Sequence, residues 1–566
     1  MDERRFSITK ADFIAAFIAK QEVPAVFMLS GGMIAFLIDS VAQLGITPII
    51  NTRHEQSAGF AAEGATRVAG RSAVAMGTSG PGATNLLTAV ASSFFDSIPT
   101  VFITGQVNQS EFKKSEKQRQ NGFQELDIVQ MAAGITKYTV KINSDSDLGA
   151  ELHKCWAMAH EGRPGPVLLD IPIDVQQEVI TIEDSSLSKV GANGKTVETD
   201  LQIIELVKSI QACERPLFLL GGGIRASHAT TLIRELVTKW RIPAVFSLMG
   251  VDVLESSSPF RIGMIGSYGN RWANRALANA DLVIALGTRL DVRQTGSDLT
   301  NFTKNKKIFR VDIDPSELEG RIRAEISVQA DLLSFLPAAL QVLPEFSFSS
   351  WLLEIREEEL KFPQEFEQTE VLELNPNELM KWISSISTNI NGYCIDVGQH
   401  QMWSAQSLQI STNQRFLTSG GLGAMGFALP SAIGAAISKP GRWVVISGDG
   451  STQLSIAELE TISHYNLPIT ICIINNNQHG MVAQFQEENM DGRYIGTRVG
   501  YSAPDFSSVA KSYGIQAIRI ENMIDLRSAE AAVSDLGAGP LVLEFVISAS
   551  AKALPKMSSG NSIQDL

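Results

Sequence analysis

Short apolar runs, each closed by a glycine-rich turn and followed by a longer stretch with helical spacing of its apolar positions, recur along most of the chain. AVFMLSGG (25–32), SAVAMGTSGPG (72–82), TVFITGQ (100–106), PLFLLGGG (216–223), DLVIALGTR (281–289) and WVVISGDGS (443–451) are the clearest. These runs are nearly continuous rather than alternating, so each predicts a strand buried on both faces, and such strands belong to parallel sheets covered by helices. The expected fold class is α/β, with doubly wound parallel-sheet domains. The glycines fall at the carboxyl ends of the strands, where sheets of this kind bind ligands.

Two polar stretches interrupt the pattern. QQEVITIEDSSLSKVGANGKTVETD (176–200) and the charge-rich, proline-broken PEFSFSSWLLEIREEELKFPQEFEQTEVLELNPN (344–377) read as linkers. They divide the chain into domains at 1–180, 195–342 and 370–548, followed by a small polar tail, 549–566, read as a mobile or flexible cover. The first and third domains echo each other. Arg71, a strand, Gly77-Thr78-Ser79-Gly80, a helix and Ile98-Pro99 return as Arg442, a strand, Gly448-Asp449-Gly450, a helix and Leu467-Pro468. The interval is 27 positions in one (71 to 98) and 25 in the other (442 to 467). This predicts two similarly folded domains with different chemistry on equivalent loops. The grammar shared by all α/β domains is the competing explanation.

Length and composition narrow the class. At roughly 100–200 residues per domain, 566 residues call for several domains. A hydrophobic content of 44% with 19% charged residues belongs to a packed globule, not a disordered chain. Lys plus Arg is 47 against 61 for Asp plus Glu, and the net charge of −14 repels phosphate backbones, which argues against nucleic acid as a general partner. Cys155, Cys213, Cys394 and Cys472 lie far apart, so neither a disulfide framework nor a thiolate metal site is expected, and a reducing cytoplasm is the expected location. No apolar run approaches the length of a membrane span, and the opening residues lack a signal-peptide core.

The strongest chemical signal lies in the third domain. GDGST (448–452) closes a buried strand, a helix is expected over 453–465, and a second strand, ITICIIN (469–475), ends in Asn475-Asn476. A glycine turn ahead of a helix offers backbone N–H groups to phosphate oxygens. Asp449 and Asn476, 27 positions apart, put two hard oxygen ligands on one rim. Partial ligation of that kind suits Mg²⁺, which completes its shell with water and diphosphate oxygens. Taken singly, either residue is more simply a turn Asp or a capping Asn; the pair in this frame is not.

This GDG…NN arrangement resembles the diphosphate motif of enzymes dependent on thiamine diphosphate (ThDP). The resemblance covers essentially the whole chain and is strongest toward the catalytic subunit of acetolactate (acetohydroxyacid) synthase. It is carried by RHEQSAGFAAEGATRVAG (53–70), TSGPGATNLLTAVASSFFDSIPTVFITGQV (78–107), GFQELDIVQ (122–130), GRPGPVLLDIP (162–172), DVGQHQMW (396–403) and TSGGLGAMGFALPSAIGAA (418–436). It implies a pyrimidine-binding first domain, a central FAD-type domain and a diphosphate-binding third domain. Glu55 then takes the place of the carboxylate that pairs with N1′ of the aminopyrimidine, although alone it is as readily a helix-start glutamate. Val397, Gly398, Gln399, His400, Gly448, Gly450 and Ser451 fall at diphosphate positions, and Gly423 and Met425 support the pyrimidine. Met481 and Val482 line the cofactor, and Gln478 joins Asp449 and Asn476 at the metal through its backbone carbonyl. GLGAMG (421–426) also fits the dinucleotide fingerprint G-x-G-x-x-G; the absence of an expected strand in TSGG before it argues against that reading.

For the central domain the resemblance implies bound FAD whose redox chemistry is unused. The positions are Gly221, Gly222, Gly223, Ser247, Leu248, Met264, Gly287, Thr288, Arg289, Asp291, Arg293, Asp312, Ile313 and Asp331, joined by Arg163 from the first domain. A domain that keeps the fold without flavin is the alternative.

Related decarboxylases protonate the activated two-carbon fragment left by pyruvate, commonly with a histidine pair. Here the corresponding region reads QVNQSEFKKSEKQ (106–118), and no His-His pair occurs among the seven histidines. The resemblance therefore implies a carboligase that transfers activated acetaldehyde to a second carbonyl, with Phe123 and Gln124 on the acceptor side. Departures gather there: Ile173, Val292 before Arg293, Met33, and Phe485 where the family carries a specificity-setting Trp. The acceptor is thus either a second pyruvate or a ketone such as a nucleotide-linked keto-deoxy sugar, and pyruvate oxidation by flavin is a third alternative. Homodimer or homotetramer assembly with active sites between subunits follows from the same resemblance, as does a small regulatory subunit as a further partner.

Overall fold

The computed structural model describes residues 5–557 apart from 116, 184–186, 192–198, 343–345, 369, 371, 388 and 535–538. Parts of both expected linkers and the end of the tail lie outside the described residues.

Three parallel six-stranded sheets form the molecule. The first holds β2 (Val26–Met28), β3 (Ile49–Asn51), β4 (Val74–Gly77), β5 (Val101–Gln106), β6 (Tyr138–Lys141) and β7 (Val167–Pro172), ordered β3-β2-β4-β5-β7-β6. A separate antiparallel pair, β1 (Arg5–Thr9) with β8 (Val179–Glu183), ties the start of the chain to the stretch expected to be a linker. The second sheet holds β9 (Pro216–Leu220), β10 (Ala244–Phe246), β11 (Arg261–Met264), β12 (Leu282–Leu286), β13 (Lys307–Asp312) and β14 (Ile326–Gln329), ordered β11-β10-β9-β12-β13-β14. The third holds β15 (Gly392–Ile395), β16 (Arg415–Thr418), β17 (Trp443–Gly448), β18 (Ile469–Asn475), β19 (Gln516–Ile520) and β20 (Leu541–Val546), ordered β16-β15-β17-β18-β20-β19.

Renumbered within each domain, the first and third sheets both run 2-1-3-4-6-5, so the echo in the sequence is a shared topology. The central sheet runs 3-2-1-4-5-6, the order of dinucleotide-binding folds, with its reversal between β9 and β12. Strands such as LVIAL and ITICIIN are buried along their whole length, as unbroken apolar runs require.

The helix Glu55–Ala69 in the first domain and the helix Ala428–Ser438 in the third each follow the second strand of their sheet. They pack on one another so closely that a Cβ at Gly434 would lie 1.8 Å from the Ala61 carbonyl oxygen, and one at Gly64 would lie 2.3 Å from that of Ser431. One apolar core accordingly runs through both domains, joining Phe60, Ala61 and Phe102 to Phe427, Ala432 and Val445.

Three sequence expectations change. The second expected linker contains the helix Ser349–Lys361, whose Trp351 and Ile355 are buried against the central domain. Its many charges sit on the outer face and hid that narrow apolar stripe. The expected helix 453–465 is two, Asp449–Leu454 and Glu458–His464. The break between them sets Glu458 at the start of the second helix, where its carboxylate accepts from the Arg53 backbone N–H at 2.9 Å. Lastly, residues 548–557 of the tail are strapped down: the Trp403 indole and the amides of Gln399, Gln484 and Gln406 donate to the carbonyls of Lys552, Ala551, Ala553 and Leu554.

Candidate active site

β17 and β18 are paired neighbours, with Gly448 opposite Ile474, so Asp449 and Asn476 leave adjacent strand ends. The Asp449 carboxylate accepts from the Gln478 backbone N–H at 3.1 Å and from the Tyr501 hydroxyl at 3.0 Å. Burial pushes its pKa up to about 6, the mark of a negative charge the protein compensates poorly. Asn476 donates its amide to Gln399 Oε1 at 3.0 Å, which leaves its own oxygen for another partner. The Gln478 side chain is spent on the Ala549 carbonyl and Arg498, so its backbone carbonyl is the group that remains.

His400 stands beside them, buried, its Nε2 without a partner. Burial drives its pKa down to about 3, so the ring is neutral. It lies between two turns: a Cβ at Gly398 would sit 2.6 Å from its Cε1 and one at Gly448 2.9 Å from its Nδ1. Ser451 donates to the Val397 carbonyl at 3.0 Å, and a Cβ at Gly450 would fall 2.6 Å from the His479 ring. One carboxylate, one amide oxygen and one main-chain carbonyl are a partial oxygen shell, and no cluster of three or more His, Cys, Asp or Glu residues suited to a metal occurs among the described residues. This donor set fits Mg²⁺ that shares a diphosphate, with the orphaned His400 nitrogen available to the same anion.

Glu55 begins the helix after β3 and is 6% exposed. Asn85 donates to its Oε2 at 3.0 Å, and a Cβ at Gly82 would lie 3.3 Å from Oε1. The dry setting expected for this carboxylate is present. Gly80, two residues earlier at the same helix start, is crowded by Gln124, whose Cβ lies 2.9 Å from a Cβ built on the glycine. Met33 joins through its N–H, which donates to Thr78 Oγ1 at 3.2 Å. The first domain thus brings Glu55, Met33 and Gln124 to one rim. Phe123 beside Gln124 is 80% exposed and is no core residue in this chain.

In the third domain, Val482 and Phe485 share the outer face of the helix Gly480–Asn489, 51% and 50% exposed, while Met481 is partly buried. Gly423 (φ +72°) and Met425 lie on the loop between β16 and the helix Ala428–Ser438. The strand β16 ends at Thr418, the first residue of TSGG, and Ser419, Gly420 and Gly421 lie outside it. Residues 419–427 separate that strand from the helix, so the tight turn of a dinucleotide fingerprint is absent.

Several structural residues had no role in the sequence reading. Asp396, wholly buried, accepts from the backbone N–H groups of Val397, Gly426 and Ala428 at 2.9, 2.9 and 2.8 Å, joining the His400 turn to the Met425 loop. Asp96 accepts from Gly420 and Gly421 N–H at 3.1 and 2.6 Å and pairs with Arg67 at 2.6 Å. Arg67 pairs also with Glu63 and donates to the Thr418 carbonyl at 2.9 Å. All four fall inside the family-like segments, but a motif does not show what its side chains touch. Tyr501 carried no signal at all.

In the central domain the expected residues gather at the carboxyl rim, around the reversal between β9 and β12. There Gly221 and Gly223 approach Gly287 so closely that added Cβ atoms would fall 2.1 and 2.7 Å from its backbone. Ser247 and Leu248 follow β10, Met264 ends β11, and Asp312 with Ile313 ends β13. Asp291 and Asp331 cap short helices. Gly222 faces Met249, and Thr288 donates to Gln294. Arg289 and Arg293 remain partly or fully exposed. This rim fits a dinucleotide at the position its strand order favours. Arg163 reaches the central domain from the first, pairing with Asp314 and Glu317 just past the end of β13 at 3.1 and 2.8 Å.

Three doubly wound domains, a cluster of oxygen donors at adjacent strand ends of the third and a buried carboxylate on the rim of the first define the architecture of the site. Family models agree domain by domain: the N-terminal TPP binding domain of thiamine pyrophosphate enzymes matches residues 8–131, their central domain 203–339 and their C-terminal TPP binding domain 396–545. The acetolactate synthase large subunit of Pyropia yezoensis is 34% identical over 559 residues, covering 96% of this chain and 93% of its own. The probable acetolactate synthase large subunit of Methanocaldococcus jannaschii is 36% identical over 571 residues, 98% of this chain and 94% of its own. That of Lactococcus lactis is 34% identical over 541 residues, 95% and 92%. The chain belongs to the thiamine pyrophosphate enzyme family, and within it is a ThDP-dependent carboligase of the acetolactate-synthase-like kind. No helix among the described residues is long and apolar enough to cross a membrane.

Proposed function

We propose that this enzyme decarboxylates pyruvate and joins the two-carbon fragment to a second carbonyl compound, either a second pyruvate, giving acetolactate, or a ketone. The observation that carries the reading is the placement of Asp449 and Asn476 on adjacent strand ends beside buried His400, whose Nε2 has no partner. Bound ThDP supplies the nucleophilic carbon and electron sink for the decarboxylation. Asp449, Asn476 and the Gln478 carbonyl hold Mg²⁺; Val397, Gly398, Gln399, His400, Gly448, Gly450 and Ser451 surround the diphosphate. Gly423 and Met425 support the pyrimidine, and Met481 and Val482 line its approach. Glu55, kept from water, would hold a proton at N1′ of the aminopyrimidine. Gln124 hydrogen-bonds the acceptor carbonyl, while Phe123 and Phe485 shape the space around it.

Glu55 and the diphosphate cradle stand on different domains, and exposed Phe123, Leu422, Val482 and Phe485 lie on residues assigned to the site or next to them. Both features support a homodimer or larger homo-oligomer with the site closed between subunits. The central rim supports FAD in a structural role, and no step here runs through it; the domains run 1–180, 195–342 and 370–548.

The test is reconstitution with ThDP and Mg²⁺, followed by mass analysis of products from labelled pyruvate alone and with a panel of ketones. A product joining two carbonyl carbons with loss of CO₂ is expected. Acetate with flavin reduction in its place would refute the carboligase reading.

A further inference from the structure

Asn476 and Gln478, on the turn after β18, carry two of the proposed cation ligands, and the residues that alternate with them hold a second stretch of chain. The Asn477 side-chain oxygen accepts the Ala503 backbone N–H at 2.9 Å, and the His479 backbone N–H donates to the Thr497 carbonyl at 3.2 Å. The Thr497 hydroxyl donates to Gln486 on the helix Gly480–Asn489 at 2.6 Å, and the Gln486 amide donates to the Ile495 carbonyl at 3.0 Å. Residues 495–503 are thus tied back onto that turn and helix on both sides of Tyr501.

Tyr501 meets the Asp449 carboxylate from this position. Its hydroxyl donates to Asp449 Oδ2 at 3.0 Å, the same oxygen that accepts the Gln478 N–H at 3.1 Å. The hydroxyl oxygen accepts from the Gln453 side chain at 3.4 Å, one turn along the helix that Asp449 begins. A hydroxyl that accepts on one side donates on the other, so this relay directs its hydrogen to the carboxylate. The ring is placed as well. It stands 4.4 Å from the His479 ring, centroid to centroid, and a Cβ at Gly450 would lie 3.3 Å from the hydroxyl oxygen.

Asp449 is 3% exposed, so bulk water does little to orient its carboxylate. Two donors from different stretches of chain converge on Oδ2 and fix the plane of the group. A carboxylate fixed in this way meets a cation without first losing rotational freedom, which is the gain that the hydrogen-bond partners of a metal ligand supply.

We propose that Tyr501 is a positioning residue for the cation: its hydroxyl sets the orientation of the Asp449 carboxylate and, through it, the affinity of the site for Mg²⁺ in the presence of ThDP. The inference rests on the cofactor reading of this site and adds to it a residue outside the family-like segments. It assigns the hydroxyl no proton transfer.

Tyr501→Phe removes the hydroxyl and keeps the ring beside His479. Tyr494→Phe removes a hydroxyl from the same stretch of chain, where Arg498 lies over the ring at 4.0 Å, and serves as the control. Full-length enzyme freed of Mg²⁺ is titrated with Mn²⁺ at saturating ThDP, with free Mn²⁺ read by electron paramagnetic resonance, and pyruvate turnover is followed against Mg²⁺ concentration. In Tyr501→Phe we expect the Kd for Mn²⁺ and the Mg²⁺ concentration giving half-maximal rate to rise about 10- to 100-fold. Its kcat at saturating Mg²⁺ should stay within about threefold of wild type, and Tyr494→Phe should match wild type in both measurements. Unchanged Mn²⁺ affinity in Tyr501→Phe overturns the proposal. So does a lost kcat that excess Mg²⁺ does not restore, which would mark a merely structural tyrosine. Absence of ThDP-dependent Mn²⁺ binding in the wild type would instead defeat the cation reading of Asp449, Asn476 and Gln478, and is told apart from failure of the tyrosine by that wild-type titration.

Discussion

Glu55 is the residue on which the proposed chemistry turns, and its surroundings are selective. One oxygen is held by Asn85, the other faces Gly82, and the carboxylate is nearly closed to solvent. Glu55→Gln keeps the shape and the acceptor oxygen but cannot exchange a proton. Turnover should fall by about 10²- to 10⁴-fold, the usual worth of a positioned acid or base, with ThDP affinity changed far less; stopped-flow CO₂ release and cofactor titration check the two separately. A second buried carboxylate makes a pH prediction outside the site. Asp170, near the end of β7, is fully buried, accepts from Thr104 at 2.8 Å and Gln106 at 3.0 Å, and is pushed by burial to about 7. Its folded value is raised, so its contribution to stability is fully present below the unfolded value near 3.8 and is lost as pH rises from there through about 7. Asp170→Asn should therefore lessen the loss of stability between about pH 5 and 8, read from urea midpoints. An unchanged difference between the two pH values would count against a titrating Asp170.

At the scale of elements, legibility depended on whether the signal was local. Buried parallel strands announced themselves because each is an unbroken apolar run, and the GDG and NN turns because they follow such runs directly. The helix Ser349–Lys361 hid within charges, since only Trp351 and Ile355 of its 13 residues are buried. The tail strap was illegible for a different reason: it is held by distant glutamine side chains that carry no periodicity. The same limit concealed what fixes the 418–426 loop. Asp96, Arg67 and Glu63 in the first domain form a buried group of charges, and Asp96 grips two successive N–H groups of that loop. Asp252 in the central domain holds its approach, accepting from Arg415 and from the Phe416 N–H. Asp96→Ala removes both loop contacts and leaves Arg67 with one carboxylate partner. Breaking a buried pair costs about 3–5 kcal/mol, and weaker ThDP binding should accompany the loss because Gly423 and Met425 ride on the released loop. Thermal unfolding with and without cofactor measures both; loss of stability with undiminished ThDP affinity would show that the loop is fixed by other contacts.

Over the whole molecule, the first and third domains share one strand order, and their equivalent helices meet face to face with reciprocal contacts. Ala61 and Gly64 of one touch Gly434 and Ser431 of the other, with the same spacing along each helix. This is the geometry of a two-fold interface enclosed in a single chain. The glycines matter because backbone, not a flexible side chain, occupies the space a Cβ would need. Gly434→Ala and Gly64→Ala each force the helices apart, and overpacking of this kind costs typically about 1–3 kcal/mol. The two sites lie on one seam, so separating the helices for the first methyl makes room for the second. The double variant should then lose less stability than the sum of the single variants, with a coupling of about 0.5 kcal/mol or more. Additive losses in urea unfolding would mean that each helix yields locally, and the two domains would not share the rigid seam their common core implies.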